Sequence, residues 1–331
     1  MRFFKKALSL LLVLVMTFLI VACGNNTASS EASSSSGGAK KVTLATGGTS
    51  GTYYGFSGVV AQRLNETLKD SMKITVVSTG ASKVNVQMID SGDADIAIVQ
   101  NDVMSYAYNA TDMFSGDAPV KSFSAIASCY PESVQIISTK AINSIDELRG
   151  KRVSVGDAGS GTEFNAKQIL EAYGMDINAD IVKSNRSFAD SCDGLKTGQI
   201  DAAFVTAGHP TVAVTELASN YDFNILPVDE EHANALISKY GFYAPVNIEK
   251  ESYSVLTEDV PTVAVMATYI ASNNLDEETV YQFTKGLFEE KENFEHQKAA
   301  LLNVDTGVSG IAIPFHKGAA RYYKEKGKNV Q

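Results

Sequence analysis

Tryptophan is absent from the 331 residues, and cysteine (3), histidine (4) and proline (7) are scarce. Three cysteines exclude the disulfide framework of small secreted domains. The histidines, His209, His232, His296 and His316, lack metal-ligand spacing, so no metal is expected. Basic residues are also short: 28 Lys+Arg stand against 38 Asp+Glu, a formal charge of −10. A chain this acidic lacks the basic face that a phosphate backbone requires, which argues against nucleic acid as a partner. Small anions stay open, because backbone dipoles can hold them. Enzyme signatures are missing as well. Ser50 and Ser160 sit in Ser-Gly-Thr rather than in a Gly-x-Ser-x-Gly elbow. No Gly-Lys-Ser/Thr of a phosphate-binding loop occurs, and Gly156, Gly159 and Gly161 do not fit G-x-G-x-x-G. No cofactor is therefore expected.

What is present is a globular composition, 44% hydrophobic and 20% charged. The length allows about two domains of roughly 100–200 residues each. Residues 1–22 read as an export signal: Arg2, Lys5 and Lys6, then an apolar core from Ala7 to Ile20. That core is shorter than the ~20 residues of an ordinary membrane span. It ends in Leu19-Ile20-Val21-Ala22-Cys23-Gly24, which resembles a bacterial lipobox, with Cys23 as the lipidated residue. A plain secretory signal with a chance cysteine is the alternative. Residues 23–40 are polar and Ser-rich, the composition of a flexible tether. The expected location is extracytoplasmic, lipid-anchored to the outer face of the cell membrane. A disulfide between Cys129 and Cys192 is possible in an extracytoplasmic compartment, but they sit in apolar or helical contexts, share no motif and read as two free, mostly buried thiols.

The rest of the chain repeats itself. Lys41–Tyr54 (KVTLATGGTSGTYY) matches Lys151–Phe164 (KRVSVGDAGSGTEF), and Ile89–Val99 (IDSGDADIAIV) matches Leu195–Val205 (LKTGQIDAAFV). Each half reads strand, Gly-rich loop, helix, strand, loop, helix, strand. Strands are expected at Val42–Thr46, Ile74–Ser78, Asp95–Gln100, Val153–Gly156 and Ile181–Lys183. Phe56, Val60, Leu64 and Leu68 recur at helical spacing, and Ala81, Val84 and Met88 read as the buried stripe of the next helix. Alternating strands and helices imply parallel sheets and an α/β class. Ser122–Thr139 and Glu251–Val265 are apolar and β-rich and serve as crossings between two lobes. The lobes are expected at 41–137 with 254–331, and at 138–253. Helices are expected from about Asp276 to Lys328, with Val280, Phe283, Leu287 and Phe294 facing inward.

Ligands of open α/β sheets sit at the carboxyl ends of strands. Four loops fall there: Gly47–Thr52, Ser78–Ser82, Ala158–Thr162 and Ser184–Ser187. Their hydroxyls, and the free N–H groups of the helices they open, suit a carboxylate or phosphate; simple helix capping is the alternative for each. Of Tyr53 and Tyr54, one should face the cleft. Gln100 ends a strand, where its amide either reads a ligand or bonds the loop. Arg186 is the one cation at an expected helix start, either a carboxylate partner or a solvated surface arginine. His209, between Gly208 and Pro210, reads as structural.

From about Lys41 onward the chain resembles the TAXI group, the solute receptors of tripartite ATP-independent periplasmic (TRAP) transporters. The resemblance rests on TGGTSGTYYGFSGVVAQRLN at Thr46–Asn65, TGASKVNVQMIDSGDADIAIVQND at Thr79–Asp102, and IASCYPESVQII at Ile126–Ile137. It continues with DELRGKRVSVGDAGSGTEFNA at Asp146–Ala166, GQIDAAFVTAGHP at Gly198–Pro210 and DVPTVAV at Asp259–Val265. It implies a two-lobed type II periplasmic-binding-protein fold with a ligand cleft between the lobes. It also implies a monomeric receptor for glutamate, 2-oxoglutarate or a similar small organic acid, served by membrane subunits driven by an ion gradient. The family's ligand loops map onto Gly48, Thr49, Ser50, Thr52, Tyr53, Thr79, Gly80, Ser82, Gln100, Ser160, Gly161, Thr162 and Gly208. Arg186 departs from the pattern, where a less charged residue is expected. A receptor for an ABC importer or a sensor kinase is the runner-up, and a transferase on the same fold is a third reading that the missing nucleophile disfavours.

Overall fold

The computed structural model describes residues 38–331; the export signal, Cys23 and most of the Ser-rich tether lie outside them. The first part runs β1 (Lys40–Ala45), α1 (Thr52–Thr67), β2 (Met72–Val77), α2 (Ser82–Ser91), β3 (Ile96–Gln100), α3 (Asn101–Asn109) and β4 (Phe123–Ser138). The middle runs β5 (Arg152–Ser154), α4 (Gly161–Ala172), β6 (Val182–Ser184), α5 (Phe188–Lys196), β7 (Ala202–Ala207), α6 (Val212–Ala218), β8 (Asn224–Leu226), α7 (Glu230–Tyr240) and β9 (Ala244–Ile248). The return is β10 (Val260–Ser272), α8 (Glu277–Glu289) and α9 (Lys317–Glu325).

The repeat seen in the sequence is a repeat in hydrogen bonding. Asp95 accepts the backbone N–H of Thr43 at 2.8 Å, and its own N–H goes to the Thr43 carbonyl at 3.0 Å. Asp201 makes the same exchange with Arg152, at 2.8 Å both ways. Before each aspartate comes a glycine at left-handed φ, Gly92 at +83° and Gly198 at +71°, a conformation that a Cβ penalises. The glycine and the aspartate together turn the chain from a helix into an apolar strand.

β1 pairs in parallel with β2 and β3, and β5 pairs in parallel with β6 and β7. β4 and β10 run antiparallel to each other, and each continues into both halves: β10 pairs with β3 and β9, and β4 with β7 and β8. The result is one continuous ladder, β2-β1-β3-β10-β4-β7-β5-β6, rather than two separate sheets. Strand length is the reason. At about 3.3 Å per residue the 16-residue β4 spans about 50 Å, enough to serve two lobes in turn.

The apolar interior divides where the ladder does not. β3 puts Ile96 and Ile98 against α1 and α8 on one face and Ala97 and Val99 against α2 and α3 on the other. β7 repeats this with Phe204 toward α4 and α7, and Ala203 and Val205 toward α5 and α6. Both strands are buried on two faces, which is why each reads as a continuous apolar run. Along β4 the core changes between Tyr130 and Val134, and along β10 between Val265 and Ala267, inside the strands rather than at their ends.

Three local expectations differ from the structure. The returning strand begins at Val260, later than the expected Glu251, and extends to Ser272. Lys250–Ser252 is a 3-10 turn whose first N–H is bound by the Asp259 carboxylate, so the stretch before Val260 folds on itself. The buried face of α2 is Ser82, Asn85, Val86 and Ile89, not Ala81, Val84 and Met88. Polar Asn85 goes inward because its amide donates to the Thr46 and Ile98 carbonyls at 2.6 and 2.7 Å. Between α8 and α9 the chain is 3-10 turns and loop rather than helix; Phe294 is buried there, outside α8. Cys129 and Cys192 are free and buried in different cores, and burial pushes both thiols up, Cys192 to about 12.

Candidate functional site

Helices α1, α2 and α4 all begin at one cavity of about 40 Å³, enough for a few waters or a small ligand. The first lobe lines it with Gly47, Gly48, Ser50, Gly51, Thr52, Tyr53, Ala81, Ser82 and Gln100. The second lobe contributes Asp157, Ser160, Gly161, Thr162, Phe188, Thr206 and Ala207, and the crossing strand β4 contributes Glu132.

The helix starts are unequal. The residue before α1 is Gly51, which has no side chain to cap it, and the residue before α2 is Ala81, at φ +68° and likewise without a side-chain cap. The first-turn N–H groups of both helices therefore lack side-chain acceptors. Ala81 is strained, since an alanine at positive φ meets its own Cβ, and such strain gathers at ligand sites. α4 starts with a full cap: the Ser160 hydroxyl accepts from Glu163 N at 3.1 Å, and the Glu163 carboxylate accepts from Gly159 N at 2.7 Å.

The hydroxyls divide in the same way. Thr52 donates to the Gly208 carbonyl at 2.8 Å, and the Ser50 carbonyl accepts from Ala213 N at 3.3 Å, so the first loop reaches the second lobe twice. Ser82 accepts from Gln100 N at 3.1 Å. Ser160 uses a lone pair for its cap and keeps its proton to donate. Ser50 and Thr162 have no hydroxyl partner among the described residues. Gly161 admits the Gln100 amide so closely that a Cβ there would overlap it.

The floor is acidic. Glu132 is 2% exposed, and Tyr53 donates to its carboxylate at 2.6 Å. Burial raises its pKa well above the usual carboxylate range, more than the tyrosine bond lowers it. Asp157 at the rim is also raised, by burial and then by the Asp190 carboxylate. No Lys, Arg or His is among the residues lining the cavity. Two buried polar atoms of lining residues, Gln100 Oε1 and Thr206 Oγ1, have no partner among the described residues.

Of the residues expected from sequence, Gly48, Ser50, Thr52, Tyr53, Ser82, Gln100, Ser160, Gly161 and Thr162 line the cavity. Thr49, Thr79, Gly80, Gly208 and Arg186 do not. Thr79 spends its hydroxyl on the Thr46 carbonyl and Asn85, at 2.7 and 2.6 Å. Gly80 faces Val84. Gly208 packs between Thr52, Tyr130 and Lys298 and offers the carbonyl that Thr52 binds. Arg186 lies in a surface groove and donates to Gln199 at 3.0 Å. Tyr53 takes the cleft position, while Tyr54 is half-buried. His209 is held by Ser133 and Glu249, both at 2.7 Å. Glu132, Asp157 and Phe188 were not expected. Glu132 did carry a signal: it is the one charged side chain in an otherwise uncharged strand, Phe123–Ser138.

The fold is similar to that of several solved binding proteins. One is the alkanesulfonate-binding protein SsuA from Xanthomonas axonopodis pv. citri bound to MOPS: 16% identity, 88% of this chain and 92% of that one, TM-score 0.50. Another is PhnD1 from Prochlorococcus marinus (MIT 9301) in complex with methylphosphonate: 13% identity, 79% and 88%, TM-score 0.50. A third comes from work on glutathione import through GshT and the cystine ABC importer TcyBC of Streptococcus mutans: 14% identity, 85% and 99%, TM-score 0.50. These likenesses establish the two-lobed α/β fold of type II periplasmic binding proteins. The model of the NMT1-like family matches residues 44–327, most of the chain, and the chain belongs to that family.

Proposed function

We propose that this chain is an extracytoplasmic solute-binding receptor that encloses a small organic anion between its lobes and hands it to a membrane importer. One observation carries the reading: the starts of α1 and α4 meet from opposite lobes at a cavity that also holds unpartnered, buried Gln100 Oε1 and Thr206 Oγ1. Uncapped N–H groups, helix dipoles and the hydroxyls of Ser50 and Thr162 suit a carboxylate, phosphonate or sulfonate without an arginine. Ligand contacts from both lobes favour the closed form, by as much as the ligand prefers it to the open one.

Binding proteins of this fold supply further support, since SsuA is named for alkanesulfonates and PhnD1 holds methylphosphonate. The resemblance to the TAXI group adds glutamate-like amino acids and dicarboxylates such as 2-oxoglutarate to the candidates. An ABC importer is the partner better supported, because the Streptococcus mutans structure of the same fold is described with one. A TRAP permease is the second reading, favoured by the ordered motifs from Thr46 to Val265. The signal and the Val21-Ala22-Cys23 sequence support a receptor tethered to the outer face of the cell membrane by a lipid on Cys23. Loss of palmitate labelling in Cys23→Ala tests that anchor.

The receptor reading is tested by thermal unfolding of the mature chain against a panel of amino acids, dicarboxylates, sulfonates and phosphonates. A ligand at about 100 times its Kd adds about 2.7 kcal/mol, a rise of several degrees. A panel without any shift removes the reading.

A further inference from the structure

We propose that Glu132 is the ammonium-recognising residue of the cavity, so that the solute is an amine-bearing organic acid rather than a simple dicarboxylate, sulfonate or phosphonate. The proposal rests on the receptor reading and narrows its substrate class.

Glu132 lies at the middle of the crossing strand, 2% exposed, with its carboxyl group on the cavity wall. Tyr53 fixes one carboxylate oxygen through a 2.6 Å bond. Among the described residues no cation pairs with it, and none lines the cavity. The charged group acting on it from α3 is another acid, Asp102, and Asp157 lines the same cavity. The basic groups near its chain neighbours Pro131 and Ser133 are engaged elsewhere. His209 bonds to Ser133 and Glu249, and Lys298 donates to the His209 carbonyl. A carboxyl group taken out of water without a cation is held toward its neutral form, which is the direction in which burial moves Glu132. A cation supplied by the solute offsets that cost.

The neighbouring atoms point the same way. An ammonium carries three donors and no acceptor. Gln100 Oε1 is a buried acceptor and Thr206 Oγ1 a buried hydroxyl, neither with a partner among the described residues, and both residues line the cavity with Glu132. A solute anion has its own places at the starts of α1 and α4, where Ser50 and Thr162 are free. The cavity thus offers N–H and O–H donors from the helix starts and acceptors from Glu132 and from Gln100, whose amide lies against Gly161 at the start of α4. A zwitterion satisfies both sets and brings the cation that ionises Glu132; a dianion brings none.

The test pairs each L-amino acid with the 2-oxo acid and the simple carboxylate of the same skeleton, measured by calorimetry on the parent and on Glu132→Gln, with the alkanesulfonates and phosphonates alongside. The glutamine keeps the shape and can still accept from Tyr53. Expected is binding of an amine-bearing acid, weakened at least about thirtyfold in the variant, as for one partner lost from a buried charge pair, and no comparable binding of its amine-free counterpart. Equal binding of an amine-free acid by parent and variant overturns the proposal and leaves the receptor reading in place. Absence of any ligand overturns both. Should the variant fail to fold, proton exchange on the parent decides. An ammonium that ionises a neutral Glu132 releases protons on binding, whereas uptake of protons identifies Glu132 as a neutral donor to an anion and overturns the proposal.

Discussion

Ser50-Gly51-Thr52 and Ser160-Gly161-Thr162 are the same tripeptide in the same place, after a parallel strand and before a helix, yet they are held by different bonds. In the first, the threonine hydroxyl leaves its own lobe and donates to Gly208 at 2.8 Å, and the helix start goes without a side-chain cap. In the second, the serine caps its own helix by accepting from Glu163 N, and the threonine hydroxyl has no partner among the described residues. The glycines differ too. A Cβ on Gly51 would meet the Gly48 carbonyl at 3.3 Å, whereas one on Gly161 would overlap the Gln100 amide from the other lobe. The two turns share sequence and place in the fold but not the hydroxyl that bonds across the cleft or the one left without a partner among the described residues.

The sharpest contrast is in how the two helices are tied across the cleft. α1 uses a neutral hydroxyl on a carbonyl. α4 uses Asn165, whose amide donates to Asp102 on α3 at 3.1 Å, a bond to a titrating group. Asp102 is fully buried, and burial is the main cause that lifts it from 3.8 to about 6. Because the folded value is the higher one, the folded chain binds the proton more tightly than the unfolded chain. Its stabilising contribution is therefore complete below about pH 3.8 and is lost as pH rises through about 6. At 1.36 kcal/mol per pH unit the whole change is about 3 kcal/mol. Asp102→Asn should remove that slope, so that the difference in urea stability between parent and variant changes by most of this amount, about 2 kcal/mol, from pH 4 to pH 7. Parallel profiles would mean that another group titrates there.

Much of this was readable beforehand because it follows from local rules. The Gly-x-x-Asp turns at Gly92 and Gly198, the apolar runs of β3 and β7, and the strand-loop-helix units each follow from neighbours in sequence. Side chains that the chain brings together over long separations were not readable. Asn85 lies off the expected Ala81, Val84, Met88 stripe, and the Thr46 and Ile98 carbonyls give its amide a place inside. Glu132 lies in the β-rich stretch expected as a crossing, and only the fold sets Tyr53 over it. Arg186 drew attention as a lone cation, but its partner, Gln199, comes from the turn after α5.

The unpartnered hydroxyls are the next contrast. Ser50→Ala and Thr162→Val, one from each turn, remove donors that no group among the described residues uses. Each should leave the melting temperature of the empty protein unchanged and weaken binding of the solute found by panel screening. A hydrogen bond to a charged group is worth roughly 1.5–3 kcal/mol, or about ten- to hundredfold in Kd. If one variant binds like the parent, the solute's anionic end sits on the other turn alone. Ser160→Ala should behave differently, because this serine is also the cap of α4. Loss of such a cap costs about 1 kcal/mol, visible as a lower denaturation midpoint in the empty protein, a loss that Ser50→Ala does not share.

The smallest expected effect belongs to Arg186, and it bears on the other pair of duplicated loops. The loop after β2 brings Ala81 and Ser82 to the cavity, whereas the loop after β6 brings Phe188 and turns Arg186 outward. The guanidinium donates to Gln199 on an exposed face, where single contacts contribute little. Arg186→Ala should shift stability by less than about 0.5 kcal/mol and leave the affinity for the anionic solute within error of the parent. The measurement matters more than its size. A receptor that used Arg186 as its anion clamp would lose a charge-assisted bond, and affinity would fall at least about tenfold. Such a loss would move anion recognition from the helix starts to the rim of the second lobe. An unchanged affinity leaves the N–H groups and hydroxyls of the two Ser-Gly-Thr turns to hold the anion without a cation from the protein.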